Sequence, residues 1–274
     1  MEPGWVNFTS CSRVRHRQDS SLERRPMDIA VADRFRAIIF EPAGMIYDDS
    51  AWQRWLLQVL ARMGLQTQYQ PFFRLFETEF LSESYCGRRD FWESWREFLL
   101  RVGLHKGQID ELAIAAQAKR AQYENDLRPM PGVSAALTLL HARGATLLAL
   151  ANTTDCKRRF MEKLHRLSIA QRIKSAVTSR DLGWAMPDSK CYLAAVEEIR
   201  MPRSEILFVS ADSRTLEGAM KVGIRTATLR STAQVADITV DRLDELAPML
   251  QATDGIARRQ LIGNDLSFPR AKAG

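Results

Sequence analysis

Phe35-Arg36-Ala37-Ile38-Ile39-Phe40-Glu41-Pro42-Ala43-Gly44-Met45-Ile46-Tyr47 decides how this chain is read. Ala37 to Phe40 is an apolar run with β-branched residues, the pattern of a buried strand in a parallel sheet. Pro42 donates nothing to a sheet ladder and Gly44 tolerates unusual backbone angles, so the strand is predicted to stop at Glu41. A carboxylate at the carboxyl end of such a strand stands where an open α/β sheet places its chemistry.

Working outward, residues 48–126 read as helices. Trp52, Trp55, Leu56, Val59 and Leu60 recur at helical spacing, and Gly64 follows as a stop. Phe72, Phe73, Leu75, Phe76 and Phe80 form a second apolar stripe. Asp90 is placed to cap a third helix through Leu100, and a fourth spans about Gln108 to Tyr123. Spacing alone makes the aromatic stripe the core of a small bundle, and it is also placed to line a pocket. After the break at Arg128-Pro129-Met130-Pro131-Gly132, apolar strands are predicted at 145–151, 175–178, 206–210, 226–229 and 238–240, alternating with helices. Strand, crossover helix and strand in this order imply a parallel sheet with right-handed connections.

Four strand ends carry a recognisable order of punctuation. They are Glu41-Pro42-Ala43-Gly44 with Asp48, then Ala151-Asn152, then Gly183-Trp184-Ala185-Met186-Pro187-Asp188, then Ala211-Asp212 ahead of Gly218-Ala219. Together they resemble the four motifs of the haloacid dehalogenase-like (HAD) hydrolases, with residues 48–126 similar to that family's helical cap. The resemblance implies an α/β, Rossmann-like parallel sheet over 34–47 and 127–251, flanked by helices, with the cap inserted after the first strand. It also implies a hydrolase site in which the first motif supplies an Asp nucleophile and an Asp acid/base. The second motif supplies a hydroxyl, the third a Lys, and the fourth an Asp pair for Mg²⁺.

Here the reactive positions are changed. Glu41 stands at the nucleophile position and Ala43 at the acid/base position. Ala151 replaces the hydroxyl and Met186 the Lys. Ala211 falls on the metal-binding Asp, with Ser210 as its partner and Asp212 one residue late. A one-residue shift at a strand end turns a side chain to the other face, so Asp212 reads as an N-cap or turn residue, or as a displaced ligand. Lys190, four residues past Met186, points elsewhere along its turn. Ala43 takes no proton, Ala151 donates nothing, Met186 carries no charge, and Ala211 cannot hold a hard cation. Such groups each commonly supply about 10²-fold or more. The residues therefore predict a HAD-like scaffold that has lost catalysis and serves a binding or interaction role, with no cofactor and no metal site. The alternative is an active hydrolase of the phosphatase class with a rebuilt site. It would use Glu41, compensated by Asp48, Asp49, Asp212 or Asn152, with Mg²⁺ as cofactor. With Met186 in place of Lys, the cleft is expected to be less cationic and more apolar than a phosphatase site.

Composition narrows the partners. At 274 residues the chain can bury one substantial core with a smaller helical unit. No apolar run approaches the ~20 residues of a membrane span, and no secretory h-region appears. Cys11, Cys86, Cys156 and Cys191 are scattered, which fits reduced thiols in a cytoplasmic protein. The formal charge of +6 raises the reading of a basic nucleic-acid-associated module. The basic residues are dispersed, however, with no basic run interleaved with aromatics, so a protein or small-molecule ligand is the expected partner. Residues 1–33, rich in Arg, Ser and Gln without an apolar period, are expected to be a flexible leader, with Met27 an alternative start; 252–274 are expected to be a tail.

Overall fold

A computed structural model describes residues 35–229 and 235–250. The leader and tail expected from the sequence lie outside the described residues. Six strands form one parallel sheet: β1 Ala37–Phe40, β2 Thr146–Ala151, β3 Ser175–Thr178, β4 Ile206–Ser210, β5 Arg225–Leu229 and β6 Ile238–Val240, in the order β3-β2-β1-β4-β5-β6. The parallel α/β sheet read from the apolar runs is therefore the fold, and each strand begins within one residue of its predicted start.

β1 is central. It pairs on one side with β2 (Ala37 opposite Thr146, Phe40 opposite Ala149) and on the other with β4 (Ala37 opposite Ile206, Phe40 opposite Val209). After β1 the chain builds outward through β2 and β3, then crosses back to lay β4 on the far side of β1. The strand order reverses there, and the carboxyl ends of β1 and β4 frame a crevice.

Both faces of the sheet are covered, which explains why the strands read as continuous apolar runs. Ile38, Phe40, Leu147 and Leu207 pack with Leu137 and Leu140 of α6 (Val133–Ala142) and with Phe160 and Leu164 of α7 (Lys157–Arg166). Ala37, Ile39, Leu148 and Phe208, one step along each strand, pack on the opposite face. There they meet Tyr192 and Ala195 of α9 (Ser189–Ile199) and Leu216 and Ala219 of α10 (Ser213–Lys221). α9 and α10 approach closely at Gly218, where a Cβ would stand 2.5 Å from the Tyr192 hydroxyl and 2.9 Å from the Pro187 carbonyl oxygen. A short helix, α8 (Ser179–Leu182), follows β3.

Between β1 and α6 the described chain is helical: α1 Ser50–Arg62, α2 Tyr69–Leu75, α3 Leu81–Tyr85, α4 Phe91–Arg101 and α5 Lys106–Asn125. These are five helices where the apolar stripes suggest four. A π-helical turn over Phe76–Phe80 divides the second stripe into α2 and α3. Asp90 caps α4, accepting from the Trp92 N–H at 2.7 Å. The helices share a hydrophobic cluster of their own, built on Leu56, Phe72, Trp95, Phe98 and Leu112. Phe98 lies 4.7 Å from Phe72 and 4.8 Å from Phe76, centroid to centroid, so the aromatic stripe is chiefly bundle core. The two chain crossings between helices and sheet run side by side, with a bridge from Tyr47 to Pro129 and the Met130 N–H on the Ile46 carbonyl at 2.9 Å.

Candidate functional site

The turn after β1 is built by its own backbone. The Pro42 carbonyl accepts from the Ile46 N–H at 2.7 Å, and Gly44, with φ of +69°, donates to the Tyr47 carbonyl at 3.0 Å. A side chain at Gly44 would be strained in that left-handed conformation. The turn carries Glu41 to the crevice, where its N–H still extends the ladder to the Val209 carbonyl at 3.0 Å.

The Glu41 carboxyl is held from β4 and α10. Oε2 accepts from the hydroxyl of Ser210 and, at 2.8 Å, from that of Thr215. Ser210 is oriented in turn by the Asp212 N–H, which donates to its Oγ at 2.9 Å. Among the described residues no hydrogen bond is made to Oε1, and Glu41 lines the cleft. Glu41 is only partly exposed and protein surrounds it. Burial pushes its pKa up to about 7, against the lowering effect of the two hydroxyls, and the negative charges of Asp212 and Glu77 add to the rise.

Two adjoining cavities open on this carboxyl, of about 880 and about 340 Å³. Glu41, Ala43, Asp48, Asp49 and Asn152 line both; Met186, Ala211 and Asp212 line the larger, and Ala151 the smaller. The strand-end positions singled out in the sequence thus meet in one cleft between sheet and helices.

Several of the polar candidates are engaged elsewhere. Asn152 spends both ends of its amide on the main chain of Met186: Oδ1 accepts the Met186 N–H at 2.8 Å, and Nδ2 donates to the Met186 carbonyl at 3.0 Å. Asp48 pairs with Arg54 at 2.9 Å, which with the Ser50 hydrogen bonds draws its pKa down. Asp212 is the N-cap of α10, accepting from the Arg214 N–H at 2.9 Å, and it pairs with the Arg214 guanidinium at 3.0 Å. Lys190 sits on the Trp184 ring, 3.1 Å from its centroid, rather than at the Met186 position. The α9 N-terminus is capped by Asp188, whose Oδ1 accepts the Lys190 N–H at 2.9 Å.

The cleft lacks the cation that a Lys at position 186 would supply, and acids stand beside its apolar residues Ala43, Ala151, Met186 and Ala211. The reason lies in the helices. Glu77, in the π-helical turn, lines the larger cavity, and burial together with the charges of Asp212 and Asp49 raises its pKa against the opposing effect of Arg214. Asp49 is exposed at the cleft, yet the protein packed around it raises its pKa against the pull of Lys163 and Arg120. Glu77 is not visible as a site residue in the apolar stripe. The signal is its place four residues after Phe73, on the inward face, where a charge is out of pattern. Ser210 and Thr215 are likewise missed as partners of Glu41, because β1 and α10 are far apart in the chain.

The residues present do not fit Mg²⁺. Ala211 offers no ligand, Asp212 is committed to its cap and to Arg214, and Oε2 of Glu41 is taken by two hydroxyls. Among the described residues no three His, Cys, Asp or Glu side chains are grouped to hold one ion.

Comparison with known proteins agrees with this geometry. The family model described as haloacid dehalogenase-like hydrolase matches residues 92–229, just over half of the chain. No curated protein sequence matches. Among solved structures, a dehalogenase superposes with a TM-score of 0.60 at 21% identity, covering 80% of this chain and 98% of that one. The L-2-haloacid dehalogenase of Xanthobacter autotrophicus with chloropropionic acid covalently bound gives 0.56 at 18%, covering 80% and 99%. A HAD phosphatase from Thermococcus onnurineus gives 0.53 at 20%, covering 80% and 99%. At these identities the likeness is one of fold. With the family match running from α4 through β5, over more than half of its length, the chain belongs to the haloacid dehalogenase-like hydrolases.

Proposed function

We propose that this chain keeps the hydrolase fold as a binding scaffold and has given up the hydrolase reaction. The observation that carries this reading is the setting of Glu41. The one reactive group left at a motif position is buried enough to hold its proton near neutral pH, and its Oε2 is tied to Ser210 and Thr215. A protonated carboxyl is a poor nucleophile. Around it Ala43, Ala151, Met186 and Ala211 supply no acid, donor, cation or metal ligand. The neighbours of similar fold include dehalogenases and a phosphatase. Both chemistries start from a carboxylate attacking a bound, typically anionic, substrate, and this cleft opposes an anion. We place the protein in the cytoplasm, a setting supported by the free thiols of Cys86, Cys156 and Cys191. Among the described residues no helix is long and apolar enough to cross a membrane.

A second reading has its own observation: Glu41 and Glu77 both line a cavity of about 880 Å³. An active hydrolase would use the deprotonated fraction of Glu41 as nucleophile and Glu77 or Asp49 to activate water. A screen of phosphate esters and 2-haloacids with purified protein, with and without Mg²⁺, separates the two. Turnover at the background rate is the expected result. Turnover that Glu41→Gln abolishes would establish the hydrolase instead.

A further inference from the structure

We propose that the cleft between the sheet and α1–α5 binds a small organic cation, an amine carried on an apolar body. The inference rests on the reading of this cleft as a ligand site and names the chemistry it would take.

The first argument is the charge left after pairing. Around the two cavities Asp48 pairs with Arg54 at 2.9 Å, Asp155 with Lys163 at 2.9 Å, Glu124 with Arg120 at 3.2 Å and Asp212 with Arg214 at 3.0 Å. Arg88 pairs with Glu83 at 3.1 Å and donates to the Gly183 carbonyl at 3.0 Å. Asp126 and Arg128, both exposed, also line the smaller cavity. What remains around the cleft without an ion pair is Glu41, Asp49, Glu77, Asp126 and Asp188 among the acids and Arg128 among the bases, so the balance is acidic. Even with Glu41 holding its proton, that balance disfavours an entering anion and attracts a cation.

The second argument is independent of the acids. Tyr47 is only 5% exposed, and its side chain lines the smaller cavity. No hydrogen bond engages its hydroxyl among the described residues, and that oxygen is not sealed from solvent, so it is open to the cavity. Burial holds its pKa up, and the charges of Asp49 and Asp155 add to the rise. A buried side chain whose hydroxyl meets only the cavity offers a ligand's polar group a partner in place of water. With Tyr85, which lines both cavities, it also offers the aromatic faces that attract ammonium groups.

The third argument excludes a bare metal ion. The acids are spread over the β1 turn and α2–α3 rather than gathered, and no three ligating side chains converge among the described residues. A ligand that reaches them must itself have length. The floor of Ala43, Ala151, Met186 and Ala211 is suited to its apolar part, and the cavity volumes are in the range of small-molecule sites.

The test is titration calorimetry of the full chain at physiological salt. The probes are phenethylamine and 1,4-diaminobutane, set against 3-phenylpropionate and inorganic phosphate. Saturable binding of at least one amine and of neither anion is expected. Asp49→Asn should weaken that binding tenfold or more and Tyr47→Phe about threefold, with the amide circular dichroism unchanged. Should Asp49→Asn fail to fold, Glu77→Gln takes its place with the same expectation. Failure of both amines to saturate, tighter binding of an anion, or amine affinity indifferent to the acidic variants would each overturn the proposal. Anion binding without turnover would leave the pseudo-hydrolase reading standing; turnover in the hydrolase screen would remove that reading whichever ligand binds.

Discussion

Thr215, in the first turn of α10, donates its hydroxyl to Oε2 of Glu41 at 2.8 Å, joining the first and last strand-end motifs of the site. The same oxygen receives the Ser210 hydroxyl, so both donors come from the far side of the crevice. They hold the carboxyl in place without restoring its usual acidity, because burial outweighs them.

The pH dependence follows from that balance. Below 4.5, the ordinary value, the Glu41 carboxyl is neutral in both folded and unfolded chains. Between 4.5 and about 7 the unfolded chain has released a proton that the folded chain keeps, so stability falls as pH rises; above about 7 the loss is complete. A shift of this size corresponds to at most roughly 3 kcal/mol, and water in the cavity reduces it to about 1–2 kcal/mol. Glu41→Gln keeps an acceptor for both hydroxyls and removes the charge. Its melting temperature should exceed the parent's at pH 8 and meet it at pH 4.5. Equal melting temperatures at both would show that Glu41 is not destabilised by its setting.

Gly218→Ala places a Cβ 2.5 Å from the Tyr192 hydroxyl and 2.8 Å from its ring. Tyr192 cannot retreat freely, since it is fully buried and donates to the Thr215 carbonyl at 2.7 Å. Overpacking of this kind costs about 1–3 kcal/mol. Urea denaturation should show the midpoint lowered with the slope unchanged.

Asn152→Ala frees the N–H and carbonyl of Met186 together. Two such hydrogen bonds are worth about 2 kcal/mol net. Beyond lost stability, the Met186 amide should exchange its hydrogen faster while amides of β2 stay protected. Unchanged exchange at Met186 would mean that the loop is held by other contacts.

Asp90→Ala removes the cap of α4, whose Oδ1 accepts from the Trp92 and Glu93 N–H groups. The loss should be about 1 kcal/mol. Asp90→Ser should recover most of it, which a loss arising from charge alone would not allow.

Strand positions and the parallel arrangement were legible because the sheet is buried on both faces. Each strand then appears as an unbroken apolar run, and Pro42, Gly44, Gly132 and Gly144 mark where runs end. The set of residues at the strand ends was legible for a related reason. In a parallel sheet all carboxyl ends share one edge, so order in the chain maps onto a common crevice. The π-helical turn was not legible, since the same stripe of Phe72, Phe76 and Phe80 fits an uninterrupted α-helix.

By itself, then, the sequence determined that a hydrolase-like sheet forms and that Glu41 stands at its reactive edge while Ala43, Ala151, Met186 and Ala211 do not react. Only the tertiary structure decided what surrounds that carboxyl. Ser210 and Thr215 reach it from β4 and α10, and Glu77 faces it from the helices. Asp48, which matches the motif, and Asp212, one residue late, are committed to Arg54 and Arg214. The physical reason is that a side chain's charge state and free valence depend on neighbours brought together through space. Periodicity in the chain reports which face a residue takes, but not which residue it will meet there.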